Sequence, residues 1–258
     1  MKLLICNDDG VKSSGILASY NAVKELGEVT IAAPSTQQSG IGRALTLFEP
    51  LRIEEVYLDQ EKKGYGISGT PTDAITLGIF KIMDEKPDIV ISGINIGYNI
   101  GKGELTTSGT LGAAMEAASH GIPTIAVSQQ VTDDTIKFEN GQVNIDFSFA
   151  EKILNKVVKI VLEKGIPEGV DLLNLNIPAN PSSEEIYIVE LGERMYNPII
   201  HTREDPRGKP YYWIGGEPFE EDKEGTDSYS LKIENKICLT PLTLNCATNL
   251  NLMDNWLD

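Results

Sequence analysis

Met1-Lys-Leu-Leu-Ile-Cys-Asn-Asp-Asp-Gly10 is the stretch on which the reading of the fold turns. Leu3 to Cys6 is a continuous apolar run that breaks into four turn-forming residues. A short apolar run bounded by turn signals reads as a strand buried on both faces. In an open α/β sheet, ligands gather beyond the C-terminal ends of the strands. Asn7, Asp8 and Asp9 are then delivered to the edge where a site would form. Two adjacent carboxylates repel each other unless a cation or a positive field offsets them. Carboxylate and amide oxygens are hard ligands, suited to Mg, Mn or Ca ions. The competing reading is a plain turn, because Asn, Asp and Gly are all turn formers.

The segments that follow build a sheet around this strand. Ser13, Ser14 and Gly15 can cap a helix whose inward face is Ile16, Leu17, Tyr20, Val23 and Leu26, with Gly27 ending it. Val29 to Ala33 is a second buried strand, closed by Pro34. The polar, Gly-containing segment Ser35 to Arg43 leaves that strand at the same sheet edge, where Ser39 and Arg43 can reach the site; a solvated loop is the alternative. Leu51 to Leu58 and Tyr65 to Ile67 are predicted strands across the charged loop Asp59 to Gly64. Thr70 and Pro71 open a helix with Ala74, Ile75, Ile79 and Ile82 inward.

Ile89 to Ser92 is a further buried strand, and it runs into Ser92-Gly-Ile-Asn-Ile-Gly-Tyr-Asn-Ile-Gly-Lys-Gly103. The glycines permit close backbone approach to a ligand, and the asparagines offer neutral oxygens. Gly97 to Lys102 fails the phosphate-loop pattern of nucleoside triphosphatases: the spacing is one residue short, and Gly103 stands where Ser or Thr is required. No Gly-x-Gly-x-x-Gly follows the first strand, which weakens a dinucleotide reading. Thr106-Thr-Ser-Gly-Thr110 opens a helix over Leu111 to Ser119, rich in alanine. Hydroxyls and free N–H groups at a helix start make a phosphate site, or else a simple cap. His120, at the helix end, is read as structural. A strand over Thr124 to Ser128, a helix over Phe147 to Lys164 and a strand over Asp171 to Ile177 complete the alternation. This pattern predicts an α/β fold with a doubly wound, mostly parallel sheet over residues 1–178.

Residues 179–258 read as a C-terminal extension containing a β-hairpin and a helix-like end. Glu185 to Glu190 is a predicted strand, and Tyr211-Tyr212-Trp213 between turn signals suggests the hairpin. Its aromatics are a candidate subunit contact or base-stacking wall; a satellite unit packed on its own subunit is the alternative. Glu217 to Glu224 is read as a solvated loop. Ile237 to Leu239 and a segment from Leu244 to Leu257 close the chain.

A net charge of −16 leaves no electrostatic footprint for duplex DNA or long RNA, and argues against anionic membranes. Three cysteines without metal-type spacing fit a reducing compartment. No signal peptide and no membrane-length apolar run is visible. The expectation is a cytoplasmic protein. A small anionic substrate is compatible with this charge if a metal ion reverses the local field.

Three strand-end loops converge on one edge: Asn7 to Gly10, Ser39-Gly40, and Ser92 to Asn95. All contribute oxygen ligands, and Ser108-Gly109-Thr110 adds a helix start. The convergence points to an Mg²⁺ or Mn²⁺ site. Taken together with Ser68-Gly-Thr-Pro-Thr-Asp73, Ser92 to Asn99, Ser108 to Ala114, Asp205-Pro-Arg-Gly208, Thr226-Asp227 and Thr240-Pro-Leu242, the chain resembles the SurE family from residue 1 to about Thr248. The resemblance implies a Rossmann-like core and a metal-dependent phosphatase acting on nucleoside 5′- and 3′-monophosphates. It also implies a C-terminal extension exchanged between subunits of a homodimer or homotetramer. By motif position it implies one divalent ion per subunit, Mg²⁺ or Mn²⁺, on Asp8, Asp9, Ser39 and Asn95, with Asp8 and Asp9 serving catalysis. Asn7, Gly40, Arg43, Asn99, Ser108, Gly109 and Thr110 are expected on the substrate. Thr107 and Ser228 depart from the family's usual residues. Two other readings stand beside this one: a receiver-like phospho-acceptor domain, and a non-catalytic nucleotide binder.

Overall fold

The structure is a computed structural model, and it describes residues 1–58, 62–132 and 145–247. The first strand, β1 (Lys2–Cys6), lies inside the main sheet. Leu3, Leu4, Ile5 and Cys6 are fully buried, as their apolar run requires. It pairs in parallel with β2 (Glu28–Pro34) on one side and with β5 (Ile89–Ile96) on the other. Beyond β2 lie β4 (Lys63–Ile67), parallel to it, and β3 (Ile53–Tyr57), antiparallel to β4. Beyond β5 come β6 (Thr124–Gln129) and β7 (Leu172–Ile177), both parallel. The chain thus winds outward one way from β1 and then the other. The switch point falls between β1 and β5, where a doubly wound sheet opens a crevice for ligands.

Among the described residues, two α-helices cover each face. On one face α1 (Ser14–Val23) packs against α4 (Ser148–Lys164); on the other α2 (Pro71–Leu77) packs against α3 (Gly109–Ser119). Ser13 caps α1, and Thr70 with Asp73 forms a reciprocal capping box on α2, with Pro71 in its first turn. α4 turns Ala150, Ile153, Leu154, Val157, Val158 and Val161 inward, an amphipathic stripe of the expected period.

The sheet does not stop at Pro178. Among the described residues the main sheet has nine strands, and its last two, β8 (Ile186–Ile188) and β11 (Ile237–Leu242), come from the segment read as an extension. β11 inserts between β7 and β8, antiparallel to the first and parallel to the second. Between β8 and β11 the chain leaves the sheet as a separate hairpin of β9 (Tyr196–Glu204) and β10 (Pro210–Pro218), then returns through α5 (Asp227–Lys232). Tyr211, Tyr212 and Trp213 lie on β10, and Asp205 organises the tip by accepting the N–H groups of Arg207 and Lys209. Glu217 and Pro218 pair within the hairpin, where a solvated loop is expected from their charge.

Other boundaries also differ from the sequence reading. β4 begins at Lys63 because Lys63 and Gly64 pair with Tyr57 and Val56, although neither has strand propensity. Part of the charged loop, residues 59–61, lies outside the described residues. The predicted helix from Thr70 ends at Leu77 and widens into a π-helical turn, Gly78–Ile82. β5 runs on to Ile96: Asn95 and Ile96 pair with Ser128 and Gln129 after a shift in register. The glycine-rich loop therefore starts later than its composition suggests. Most of the final segment read from Leu244 to Leu257 lies outside the described residues.

Candidate metal and phosphate site

The end of β1 is shaped by Asn7. Its Oδ1 accepts the Gly10 N–H at 3.1 Å, and its Nδ2 donates to Ser13 Oγ at 2.6 Å. Ser13 Oγ in turn accepts the Ile16 N–H and caps α1. Asn7 is fully buried in this work. It builds the loop that presents the two aspartates and is not among the residues that line the cavity beside Asp8. The second strand-end loop is tied to the first: the Asp8 carbonyl accepts the Gln38 N–H at 2.7 Å, and the Pro34 carbonyl accepts the Val11 N–H at 2.8 Å. Ser39 is thereby held beside Asp8.

Asp8 is buried against the start of α3. Its Oδ1 accepts the Thr110 hydroxyl at 2.6 Å. A methyl group at Gly109 would meet Asp8 Cβ at 2.7 Å and Oδ2 at 2.9 Å, so only glycine lets the helix start this close to the carboxylate. Burial pushes the Asp8 carboxyl above the usual carboxylate range; hydrogen bonds from the Thr110 hydroxyl and from the backbone N–H groups of Asp8 and Thr110 pull it back. The positive end of α3 favours the ionised form in the same way. The Thr110 hydroxyl, expected near phosphate, is donated to Asp8. Asp9 reaches across the switch point, its Oδ2 accepting the Ile96 N–H at 3.2 Å.

Asp8, Ser39, Gly40, Asn95, Asn99 and Ser108 line one cavity of about 240 Å³. Six of the residues proposed from sequence, drawn from four separate segments, therefore meet at one place. Ser108 caps α3, its Oγ accepting the Leu111 N–H at 3.1 Å. Asn99 is fixed from behind by two asparagines of β7. Asn176 Oδ1 accepts the Asn99 N–H at 2.9 Å and its Nδ2 donates to the Asn99 carbonyl at 3.0 Å, while Asn174 Nδ2 donates to the same carbonyl at 2.8 Å. Asn176 satisfies both backbone groups of Asn99 as a neighbouring strand would. The Asn99 side chain donates to Ser128 Oγ at 3.1 Å.

Arg43 is not at this cavity. Its guanidinium pairs with buried Glu116 at 2.8 Å and donates to Ser119 Oγ at 3.1 Å, both far along α3 from Ser108. The reason is a crossing of chain on helix: Gly42 donates its N–H to the Thr107 carbonyl, and a side chain on Gly112 would strike the Gly42 carbonyl. Once Gly42 lies on α3, Arg43 is carried toward the helix end. His120 completes that cluster, 3.1 Å from Glu116 and edge-on to Phe80.

The sequence reading missed two wall residues, Glu104 and Met195. Glu104 Oε2 accepts the Met195 N–H at 3.0 Å, and burial raises its carboxyl above the usual range. Neither carried a motif of its own. Asp227, of the Thr226-Asp227 motif, lies behind the wall and accepts the N–H groups of Gly101, Gly192 and Ser228 at 2.7 to 2.9 Å, pinning the loop after Asn99 to the C-terminal segment.

Among the described residues no three His, Cys, Asp or Glu side chains form a metal cluster. The donors at this edge are instead two carboxylates, a hydroxyl and an amide. All are oxygens, which fits a hard divalent cation and not a soft one.

The family model described as "Survival protein SurE" matches residues 3–198. The chain belongs to the SurE family. It is 62% identical to the 5′-nucleotidase SurE of Methanobrevibacter smithii and 50% identical to that of Methanosphaera stadtmanae, covering 100% of both chains in each case. Among solved structures it is similar to the SurE protein from Aquifex aeolicus, with a TM-score of 0.78 and 39% identity over 98% of this chain and 97% of that one. The SurE resemblance of the motifs therefore extends over the whole chain. The receiver-like reading is not supported, since the full-length relatives carry the name of a nucleotidase.

Proposed function

We infer that this SurE chain is a 5′-nucleotidase, a phosphoric monoester hydrolase that converts a nucleoside 5′-monophosphate and water to nucleoside and phosphate. The observation that carries the reading is the seating of Asp8 on the N-terminus of α3, in a cavity shared with Ser39, Asn95, Asn99 and Ser108. Full-length relatives named 5′-nucleotidase support it. Asp8, Asp9, Ser39 and Asn95 would hold one Mg²⁺ or Mn²⁺ ion. Such an ion, when bound, neutralises phosphate charge and activates water. The chain's own residues do the rest. Thr110 and the α3 dipole offset part of the burial that raises the Asp8 carboxyl, and Asp9 would orient a water for attack on phosphorus. Asn99 and Ser108 bound the phosphate. Two carboxylates and two neutral ligands leave a divalent ion with its attraction for a phosphate dianion only partly offset, on a protein whose net charge would repel one.

Activity on 3′-monophosphates and assembly into a homodimer or homotetramer through residues 179–258 belong to the same proposal. Tyr212, Trp213 and Ile214 of the hairpin are exposed, which supports a subunit contact there. No described helix is long and apolar enough to cross a membrane, and a cytoplasmic location is part of the proposal. The test is phosphate release from 5′-AMP with Mg²⁺, Mn²⁺ or EDTA, by wild type and Asp9→Asn. EDTA and the substitution are each expected to remove activity; full activity of Asp9→Asn would overturn the reading.

A further inference from the structure

Cleavage of an alkyl phosphate leaves a strongly basic alkoxide unless an acid protonates the departing oxygen. General acid catalysis of this kind contributes about 10²–10⁴-fold. Among the described residues that line the cavity, the side chains with an ionisable proton are Asp8, Tyr98 and Glu104. Asp8 is seated on α3, its Oδ1 taken by the Thr110 hydroxyl, and belongs with the metal ligands. The Tyr98 hydroxyl lies 3.5 Å from that of Tyr196, and a phenol is a far weaker acid than a carboxyl. Glu104 is the acid that the site has not otherwise used.

Glu104 also stands at a junction. With Thr107 it lines both the cavity of about 240 Å³ that holds Asp8, Asn95 and Ser108 and a neighbouring cleft of about 620 Å³ that runs past Arg194 and Tyr196. A cleft of that size is within the range of small-molecule sites. With phosphate in the first space and nucleoside in the second, the oxygen that joins them lies at their boundary. The Glu104 carbonyl accepts the Ser108 N–H at 3.0 Å, which puts Glu104 one turn, about 5.4 Å, before the residue that caps α3. Its Oε2 accepts the Met195 N–H at 3.0 Å, so a proton on this carboxyl sits on Oε1. Burial raises the carboxyl above the usual range and the Asp227 charge adds to this, while the Met195 N–H and Lys232 oppose it. The other charges facing it are Asp8 in the cavity and, in the cleft, Arg194 and the Lys102–Glu193 pair at 2.9 Å. A phosphate dianion in the cavity favours the protonated form further.

We propose that Glu104 is the general acid of the reaction, giving its Oε1 proton to the bridging oxygen as the bond from phosphorus to that oxygen breaks. Water adds to phosphorus and the electron pair of the breaking bond goes to the sugar oxygen. That oxygen takes the Glu104 proton, and the carboxylate left behind regains a proton from solvent. The products are nucleoside and phosphate. The proposal rests on the nucleotidase reading of the same site, and it holds whichever sugar carbon bears the phosphate.

The experiment compares 5′-AMP with p-nitrophenyl phosphate, whose p-nitrophenolate leaves without a proton, in wild type and Glu104→Gln at saturating Mg²⁺ or Mn²⁺. Glu104→Gln keeps an acceptor for Met195 and loses the acid. Its kcat on 5′-AMP is expected to fall about 100-fold or more with KM within about threefold, and its kcat on p-nitrophenyl phosphate to fall by less than about threefold. In wild type, kcat on 5′-AMP is expected to decline as pH rises through the titration of Glu104, a limb that is missing from the profile on p-nitrophenyl phosphate. Equal losses on the two substrates in Glu104→Gln overturn the proposal and leave the nucleotidase reading standing. Wild-type pH profiles of the same shape on both substrates do the same, whether or not the variant folds. Release of phosphate by wild type from p-nitrophenyl phosphate but not from 5′-AMP would overturn the nucleotidase reading, and this proposal with it.

Discussion

Gly109→Ala is the sharpest perturbation of the site, because it adds one methyl group and changes no charge. The methyl would lie 2.7 Å from Asp8 Cβ, 2.9 Å from Oδ2 and 3.2 Å from Cγ, against 3.4 Å or more for ordinary contact. The nearest atom is Cβ, which cannot swing away as the end of a long side chain could. Either the start of α3 lifts off β1 or the Asp8 carboxylate rotates off the Thr110 hydroxyl, now 2.6 Å away. Misplacing a reacting group by about 1 Å costs on the order of 100-fold in rate. Stability moves in two directions. Overpacking costs about 1–3 kcal/mol, and replacing Gly by Ala in a helix returns about 0.5–1 kcal/mol. The expected outcome is a loss of about 100-fold in kcat/KM with a thermal midpoint lowered by only about 0–10 °C. The assay is phosphate release from 5′-AMP with saturating Mg²⁺ or Mn²⁺, alongside a thermal melt of the same preparation. Near wild-type kcat/KM in a folded Gly109→Ala protein would refute the claim that contact between α3 and Asp8 sets the site.

Three further outcomes are expected. Asn176→Ala removes two of the three hydrogen bonds that hold the Asn99 backbone, leaving Asn174 on its carbonyl, and should raise KM for 5′-AMP about tenfold, with a loss of about 1–3 kcal/mol in urea unfolding; an unchanged KM would remove Asn176 from the positioning of Asn99. Arg43→Ala strips buried Glu116 of its guanidinium and should cost about 1–3 kcal/mol; a tenfold rise in KM without loss of stability would instead put Arg43 on the substrate. Burial raises the Asp227 carboxyl above the usual range, so the folded chain holds that proton at a pH where the unfolded chain has lost it. Between the unfolded value of about 4 and the raised folded value, stability therefore falls as pH rises, and Asp227→Asn should flatten that part of the stability–pH curve; identical slopes for both proteins would contradict it.

The local signals in the chain were strong where burial and turn chemistry coincide. Leu3 to Cys6 followed by Asn-Asp-Asp-Gly announces a central strand with carboxylates at its end, because a strand buried on both faces is mostly apolar and the loop that follows it is built of turn formers. The capping residues Ser13, Thr70 and Ser108 mark three helix starts for an equally local reason, since each satisfies an orphan N–H two or three residues away. By that route the α/β order was legible before any coordinates, while the cavity residues Ser39, Gly40, Asn95 and Asn99 were reached through the shared sheet edge and the SurE resemblance.

What only the tertiary structure decided is which of the remaining polar groups face the cavity and which face each other. Asn7 and Thr110 look like substrate ligands in sequence, yet one folds back on Gly10 and Ser13 and the other on Asp8. Arg43 sits four residues after Ser39 and is carried along α3 by the Gly42–Gly112 crossing, an approach between segments 70 residues apart. Glu104 enters the wall because Met195, from the far end of the chain, meets its carboxylate. β11 is likewise a short apolar segment that could have been a satellite, until its pairing with β7 makes it part of the sheet. Sequence periodicity records which face of an element is buried. It carries no record of which distant backbone that face will meet, and long-range pairing is what turns Asn7, Asp8 and Asp9, three adjacent residues, into a loop builder, a carboxylate seated on a helix and a carboxylate that spans the sheet's switch point.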